Sequence, residues 1–393
     1  MASLPAIDPA AARPPATAQP VYVDAPDALA DACARWRGAD VLGIDTEFVR
    51  ERTFYPGLGL IQVTDGDAVA LVDPVALGDL CPLERVFADE GIVKVLHSCS
   101  EDMEVFFHRF GALPRPVFDT QVAAAFLGLG YSPGYSALVE ALFGVEIPKH
   151  LTRTNWLRRP LSADQKRYAA LDVAHLLPCY DVLSEGLRRC GRDAWAAEEF
   201  AQLVDAGRFD VDPRTVFRGI RRSRGLDRRQ LAVLRELAAW REEEARRRDL
   251  PRNFVLREAV LPDLARRPPR TPQELAAVDG LRPEDVRRYG RAVLDAIGRA
   301  LELPEDELPE RLPRPLDLSP YQKEVDAMRR AVAATAEELG LPPELLATRR
   351  TVEKTARRVL AGKERPLPRE LRGWRRAVVG ERLLELAASL GGL

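Results

Sequence analysis

Three stretches of this 393-residue sequence carry acids in settings where ordinary surface acids are out of place. In the first, Asp45-Thr46-Glu47 follows the apolar run Val41-Leu42-Gly43-Ile44 and precedes Phe48. Side chains of a strand alternate faces, so acids two residues apart project on one side. That arrangement suits hard divalent cations such as Mg2+, which take oxygen ligands and draw only one or two carboxylates each from a protein. A solvated strand end reads the same way, although the apolar flanks count against it.

The second stretch is His97-Ser98-Cys99-Ser100-Glu101-Asp102-Met103-Glu104-Val105-Phe106-Phe107. Ser98 and Glu101 have capping-box spacing, which predicts a helix start and gives Glu101 a structural task. Met103, Phe106, Phe107 and Phe110 make the buried face, and Asp102, one turn before Phe106, borders it. The third stretch opens with a second capping box, Ser162 and Gln165. Its helical stripe carries Tyr168, Leu171, Asp172, His175 and Leu176. An unpaired buried charge costs several kcal/mol or more, and no Lys or Arg lies on that stripe. A cation is the economical partner for Asp172, and Tyr168 points to the same place. Taken alone, Tyr168 reads more commonly as a core tyrosine, and His97 and His175 read first as core or surface histidines, with a supporting place beside the site as the alternative. Asp119 precedes a helical run and reads as an N-cap.

The elements that position these residues follow from the pattern of apolar runs. Val41 to Ile44, Gly59 to Thr64 and Ala68 to Val72, with Asp65-Gly66 as a hairpin signal, predict an antiparallel meander. Ile92 to Leu96 adds a strand between helical stretches at 76–88 and 99–110. The fold class expected is α/β: a mixed sheet with flanking helices, followed by two all-α bundles. The expected divisions are a disordered Ala/Pro tail (1–20), a domain carrying the acids (21–205), a helical domain (206–302), a Pro-rich acidic linker (303–319) and a second helical domain (320–393). The two helical segments share a faint repeat, since Leu250-Pro251 and Leu341-Pro342 each follow a long helical stretch.

The net charge of −2 conceals a division. Residues 1–205 carry 18 Lys+Arg against 29 Asp+Glu, and residues 206–393 carry 40 against 31. An acidic half suits metal cations and a basic half suits a phosphate backbone. No run of about 18 apolar residues suggests a membrane span. The 5 scattered cysteines form no CxxC pair, which fits a reducing cytoplasm and neither zinc nor disulfides.

Asp45-Thr46-Glu47, Asp102 within Ser-Glu-Asp-x-Glu-Val-Phe, and Tyr168-x-x-x-Asp172 resemble, in order, the three motifs of the DEDD exonuclease superfamily, and within it the ribonuclease D family. Tyrosine four residues before the last Asp, with Arg at 167, resembles the tyrosine subclass. The Gly59–Thr64 strand and Trp156-Leu157-Arg158-Arg159-Pro160-Leu161 add to the likeness. Asn155 departs from the family's Asp there, at a position outside its metal ligands. Residues of about 215–300 resemble the nucleic-acid-binding HRDC module, with 320–390 as a diverged second copy.

The resemblance implies a ribonuclease H-like sheet and a 3′-5′ exoribonuclease. Asp45, Glu47, Asp102 and Asp172 would bind two divalent metal ions (Mg2+ or Mn2+), and Tyr168 would orient the attacking water. It is this resemblance that selects Asp102 over Glu101 and Glu104. The implied partners are RNA, above all tRNA precursors with 3′ extensions, with nucleoside 5′-monophosphates as products and no obligate protein partner. Candidate substrate contacts are Gln62, Lys149, Arg153 and Arg158, the last three open equally to a solvated-loop reading. A DNA exonuclease would use the same carboxylates, and a catalytically inactive RNA-binding adaptor would have no need of them.

Overall fold

The apolar runs of the first half become strands, and the acids sit on the sheet they build. The computed structural model describes residues 8–16, 19–148, 154–363 and 367–388. It divides into two compact units, one of residues 1–49, 58–206 and 316–393, the other of residues 50–57 and 207–315. In the first unit, β1 (Val21–Val23), β2 (Val41–Val49), β3 (Gly57–Thr64), β4 (Val69–Val72), β5 (Val93–Leu96) and β6 (Val117–Asp119) form one sheet in the order β1-β4-β3-β2-β5-β6. β3 and β4 are antiparallel, whereas β1–β4, β2–β5 and β5–β6 are parallel. The sheet is therefore mixed, with β2, β3 and β4 adjoining in chain order as the hairpin signal predicts. β1 and β6 have three residues each, too few to show a period.

One face of the sheet sends Val41, Leu60, Leu71 and Val95 into a core shared with Ala169, Val173 and Leu176. A side chain at Gly43 would strike Thr64 Cγ2 at 2.8 Å and Leu176 Cβ at 3.1 Å, so glycine lets the chain cross this face closely. The helical stretch expected at 76–88 is two pieces, Pro74–Leu77 and Cys81–Ala88. Gly78, with φ +68, parts them.

The first residues are more ordered than an Ala/Pro composition implies. Arg13 donates two bonds of 2.8 Å to the Asp181 carboxylate, and the Ala16 amide reaches the Ala174 carbonyl at 3.1 Å. That charged fork anchors residues 8–16; residues 1–7 and 17–18 lie outside the described residues. The helices Gln322–Leu339, Arg349–Leu360 and Glu381–Ala388 share the core of this same unit. There Trp374 stacks on Trp195 with ring centroids 5.0 Å apart and lies 5.1 Å from Phe126.

The second unit is helical, built around Arg228–Arg248 and Pro283–Glu302, with Leu231, Leu234, Val293 and Ile297 inside. The faint repeat has a geometric basis. Each long helix ends on a left-handed residue, Asp249 or Gly340. The next amide then turns back, Leu250 to the Ala245 carbonyl at 2.9 Å and Leu341 to Ala336 at 2.8 Å, before a short helix begins. The Pro-rich stretch after residue 303 is no free tether, because Leu308 is buried in this core and Arg228 donates to the Glu305 carbonyl at 2.7 Å. No helix among the described residues is long and apolar enough to cross a membrane.

Candidate active site

β2 delivers Asp45 and Glu47 to the face that the helix Ala163–Ala174 covers, and that helix delivers Asp172. Carboxylate oxygens of these three residues all lie within 4.8 Å of one another. Asp102 comes from the first turn of the helix Ser100–Phe110 and is only 7% exposed. It stands at the margin of the tight trio, where it accepts a short hydrogen bond from the Thr46 hydroxyl. The trio and its marginal fourth acid are the set that the spacing and resemblance singled out.

Asp102 is buried and Asp45, Glu47 and Asp172 are half-buried beside one another, and both the burial and the closeness disfavour charge. Burial, then the charges of Asp102, Asp172 and Glu47, push Asp45 well above the usual carboxylate range. Burial and the same neighbours Asp172 and Asp102 push Glu47 up to about 8. Asp172 rises to about 7 through burial, against an opposing pull from the Tyr168 hydroxyl. Asp102 rises to about 6 through burial, with the Thr46 hydroxyl working against it. A divalent cation would offset both the desolvation and the mutual repulsion, so the donor set fits a hard metal ion. Tyr168 is raised too, by burial first and then by the charges of Asp172, Glu47 and Asp45. Its hydroxyl stays neutral at pH 7, as an orienting group and not a base.

The helix of Asp172 is turned slightly from the expected stripe. Its buried residues are Ala169, Val173 and Ala174, while Tyr168, Leu171 and Asp172 are half-buried. Small Ala169 packs deepest, which leaves Asp172 at the rim, open towards Asp45 and Glu47. The capping box of Ser162 and Gln165 is present. The helix stops at Ala174, and Tyr135 spans the break, its hydroxyl accepting from the His175 amide at 3.0 Å and lying 3.4 Å from the Leu171 carbonyl.

The capping box expected of Ser98 and Glu101 does not form. Ser98 takes φ +57, and the helix starts one residue later on Cys99 without a side-chain cap. Asp119 fills that role from β6, accepting the amides of Ser98 at 3.2 Å and Cys99 at 2.9 Å. Asp119 also caps its own helix as expected, through Gln121 at 2.8 Å and Val122 at 3.1 Å. His97 is tied to Thr120 at 2.9 Å and to the Pro133 carbonyl at 3.1 Å, a structural residue as read.

Of the candidate substrate contacts, Arg158 is exposed and Gln62 is fully buried. Lys149 and Arg153 lie outside the described residues. Three residues have supporting roles that the sequence did not reveal. Thr46 lay between two acids as an apparent spacer. Asp119 drew notice only as a local cap. Arg159 donates to both Asp73 oxygens at 2.6 Å and to the Gly59 carbonyl at 2.6 Å, fixing the Trp156–Leu161 segment against β3. The Trp156 ring in turn lies 6.3 Å from that of Tyr168. Arg159 had a sequence signal in its place within a segment of family likeness, and Asp119 had one for the cap of its own helix alone.

Comparison with known proteins decides the family. The chain is 44% identical to a ribonuclease D of Pseudomonas paraeruginosa over 92% of its length and 96% of that protein. It is 40% identical to the ribonuclease D of Escherichia coli, over 92% of its length and 96% of the relative. This chain belongs to the ribonuclease D family. The 3′-5′ exonuclease family matches residues 20–188, the HRDC domain residues 230–297, and the ribonuclease D C-terminal HRDC domain residues 320–383. The crystal structure of E. coli RNase D, described as an exoribonuclease involved in structured RNA processing, superposes with a TM-score of 0.86 at 38% identity, covering 94% of this chain and 98% of that one. The chain is accordingly a hydrolytic 3′-5′ exoribonuclease of the ribonuclease D family, acting on RNA, with an acidic cluster suited to divalent metal.

Proposed function

We propose that this exoribonuclease trims the 3′ ends of tRNA precursors and other structured RNAs in the cytoplasm, one nucleoside 5′-monophosphate at a time. In this reading Asp45, Glu47, Asp102 and Asp172 would hold two divalent ions, Mg2+ or Mn2+. The observation that carries it is the meeting of three carboxylates within 4.8 Å, each pushed above its ordinary range by burial. When bound, such ions make water nucleophilic near neutral pH and offset charge on the leaving 3′ oxygen. Thr46 holds the Asp102 carboxylate in place. Tyr168, neutral and beside Asp172, orients the attacking water by a hydrogen bond. The helical segments 206–302 and 320–393, separated at 303–319, lengthen the track for the RNA backbone; Arg158 is exposed where it can meet a phosphate, and Lys149 and Arg153 join it in this proposal. Structured RNA is supported by the likeness to the E. coli enzyme.

The test is a 3′-extended tRNA precursor incubated with Mg2+ or Mn2+, with single-stranded DNA in parallel. Stepwise shortening that EDTA abolishes is expected, on RNA above all. Mononucleotide release unaffected by EDTA would sink the metal reading, and equal trimming of DNA would remove the RNA preference. Asp102→Asn should lose cleavage while RNA binding in Ca2+ persists; retained wild-type cleavage would take Asp102 out of the site.

A further inference from the structure

Gln62 is 0% exposed, and neither its amide nitrogen nor its amide oxygen has a hydrogen-bond partner. A buried amide left wholly unsatisfied is costly and calls for an explanation. Its direction can be worked out from the sheet. Gln62 opposes Leu71 across the β3–β4 pair, and Leu71 lies in the helix-covered core with Val41 and Leu60. On β2, the alternation that turns Val41 to that face also turns Gly43, Asp45 and Glu47 there. β2 and β3 are sheet neighbours joined by a connection too short for a parallel crossover, so they run antiparallel. Gly43 abuts Thr64. Two residues along each strand from that meeting, Asp45 comes opposite Gln62. Directly opposed residues have Cβ atoms about 4.5–5.5 Å apart, well within a glutamine's reach.

We propose that Gln62 is a positioning residue for the carboxylate cluster: neither bond is made in this structure, and when a divalent ion is held there its amide N–H turns to donate to the Asp45 carboxylate while its carbonyl accepts from water that the ion carries. The proposal rests on the reading that the cluster binds divalent ions. It supplies both missing partners at once, since hard cations in protein sites retain several waters. It also gives this glutamine a part in the reaction despite its closure to solvent. Apolar Leu71 on its other side offers no competing partner.

Gln62→Leu keeps the volume and removes both polar atoms. If the amide only fills the core, this variant melts at or above the wild-type temperature and binds Mn2+ equally well. On the proposal, the metal-free variant still melts at or above wild type, but calorimetric titration shows Mn2+ affinity falling about 10–100-fold. The kcat on RNA falls with KM little changed and recovers in part with excess Mn2+. Unchanged Mn2+ affinity in folded Gln62→Leu overturns the assignment of Gln62 alone; a wild-type protein that binds no Mn2+ overturns the cluster reading with it. Should the variant fail to fold, the Gln62 side-chain amide resonances of the wild-type protein decide. A shift that saturates with Mg2+ supports the contact, and resonances indifferent to Mg2+ refute it.

Discussion

Each acid of the cluster holds its proton more tightly than a carboxylate in water does, because its charge is poorly solvated and its neighbours are of like sign. The consequence for stability has a definite sign. A carboxylate raised in the folded state stabilises the fold below its unfolded value near pH 4, and that contribution is lost as pH rises through about 6 for Asp102, 7 for Asp172 and 8 for Glu47. Above pH 8 the metal-free protein therefore keeps an unrelieved repulsion. Asp172→Asn, isosteric and neutral, should raise the melting temperature in EDTA at pH 8 by a few degrees, since about 1 kcal/mol moves the midpoint by roughly 2–4 °C in a domain of some 200 residues. The same variant should lose RNA cleavage. A lower melting temperature would show that the Asp172 charge makes net favourable contacts without an ion. Ion binding must also expel the bound protons. Mn2+ titrations at pH 6.5 in buffers of different ionisation enthalpy should report protons released, and titrations at pH 9 fewer. Release independent of pH would place the ion elsewhere.

At the level of strands and helices, Asp119 ties two elements of the site together through four backbone amides. One pair belongs to its own helix, and the other starts the helix that carries Asp102. Asp119→Ala should cost about 3 kcal/mol, from a lost N-cap and two buried charge-assisted bonds. It should also reduce cleavage, by loosening Asp102. A urea-unfolding free energy within about 1 kcal/mol of wild type would mean that water replaces the carboxylate. Elements such as β2 and the helix Ala163–Ala174 were legible in the sequence because their periods run for a full turn or strand, and the trio Asp45, Glu47 and Asp172 came with them. Asp102 was legible mainly through its motif, because its place at the border of the buried face is only a weak local signal over Glu101 and Glu104. The second task of Asp119 was not legible, since its partners Ser98 and Cys99 lie some 20 residues away across a parallel strand pair. The rotation that puts Ala169 and not Asp172 deepest was hidden likewise. A one-residue offset in a helical stripe is set by packing against the sheet, where small Ala169 is fully buried.

For the whole molecule, the two HRDC-like segments differ in where their apolar residues go. The segment around Arg228–Arg248 has its own core, whereas Val325, Met328, Leu371 and Trp374 are buried in one cluster with Phe126, Val139 and Leu183. Trp374 donates its indole N–H to Glu199 at 2.9 Å, and Arg192 donates to the Phe126 carbonyl at 2.6 Å and also to the Leu339 carbonyl. Such a mixture of aromatic stacking and satisfied polar groups is the anatomy of an intramolecular core. Composition and turn signals reveal two similar helical segments but carry no information on which apolar faces meet, and for that reason this partnership was not legible. A chain ending at residue 315 should therefore lose stability in the exonuclease sheet itself, beyond any loss of RNA affinity. Trp374→Ala, a single truncation in the same place, should cost about 3–5 kcal/mol. Thermal unfolding checks both, with cleavage of a short unstructured oligoribonucleotide at low temperature as the companion measurement. Oligonucleotide cleavage should survive at low temperature while the melting point of the sheet drops. If the C-terminal segment were only an appended RNA-binding module, the melting point would hold and only affinity for long RNA would fall.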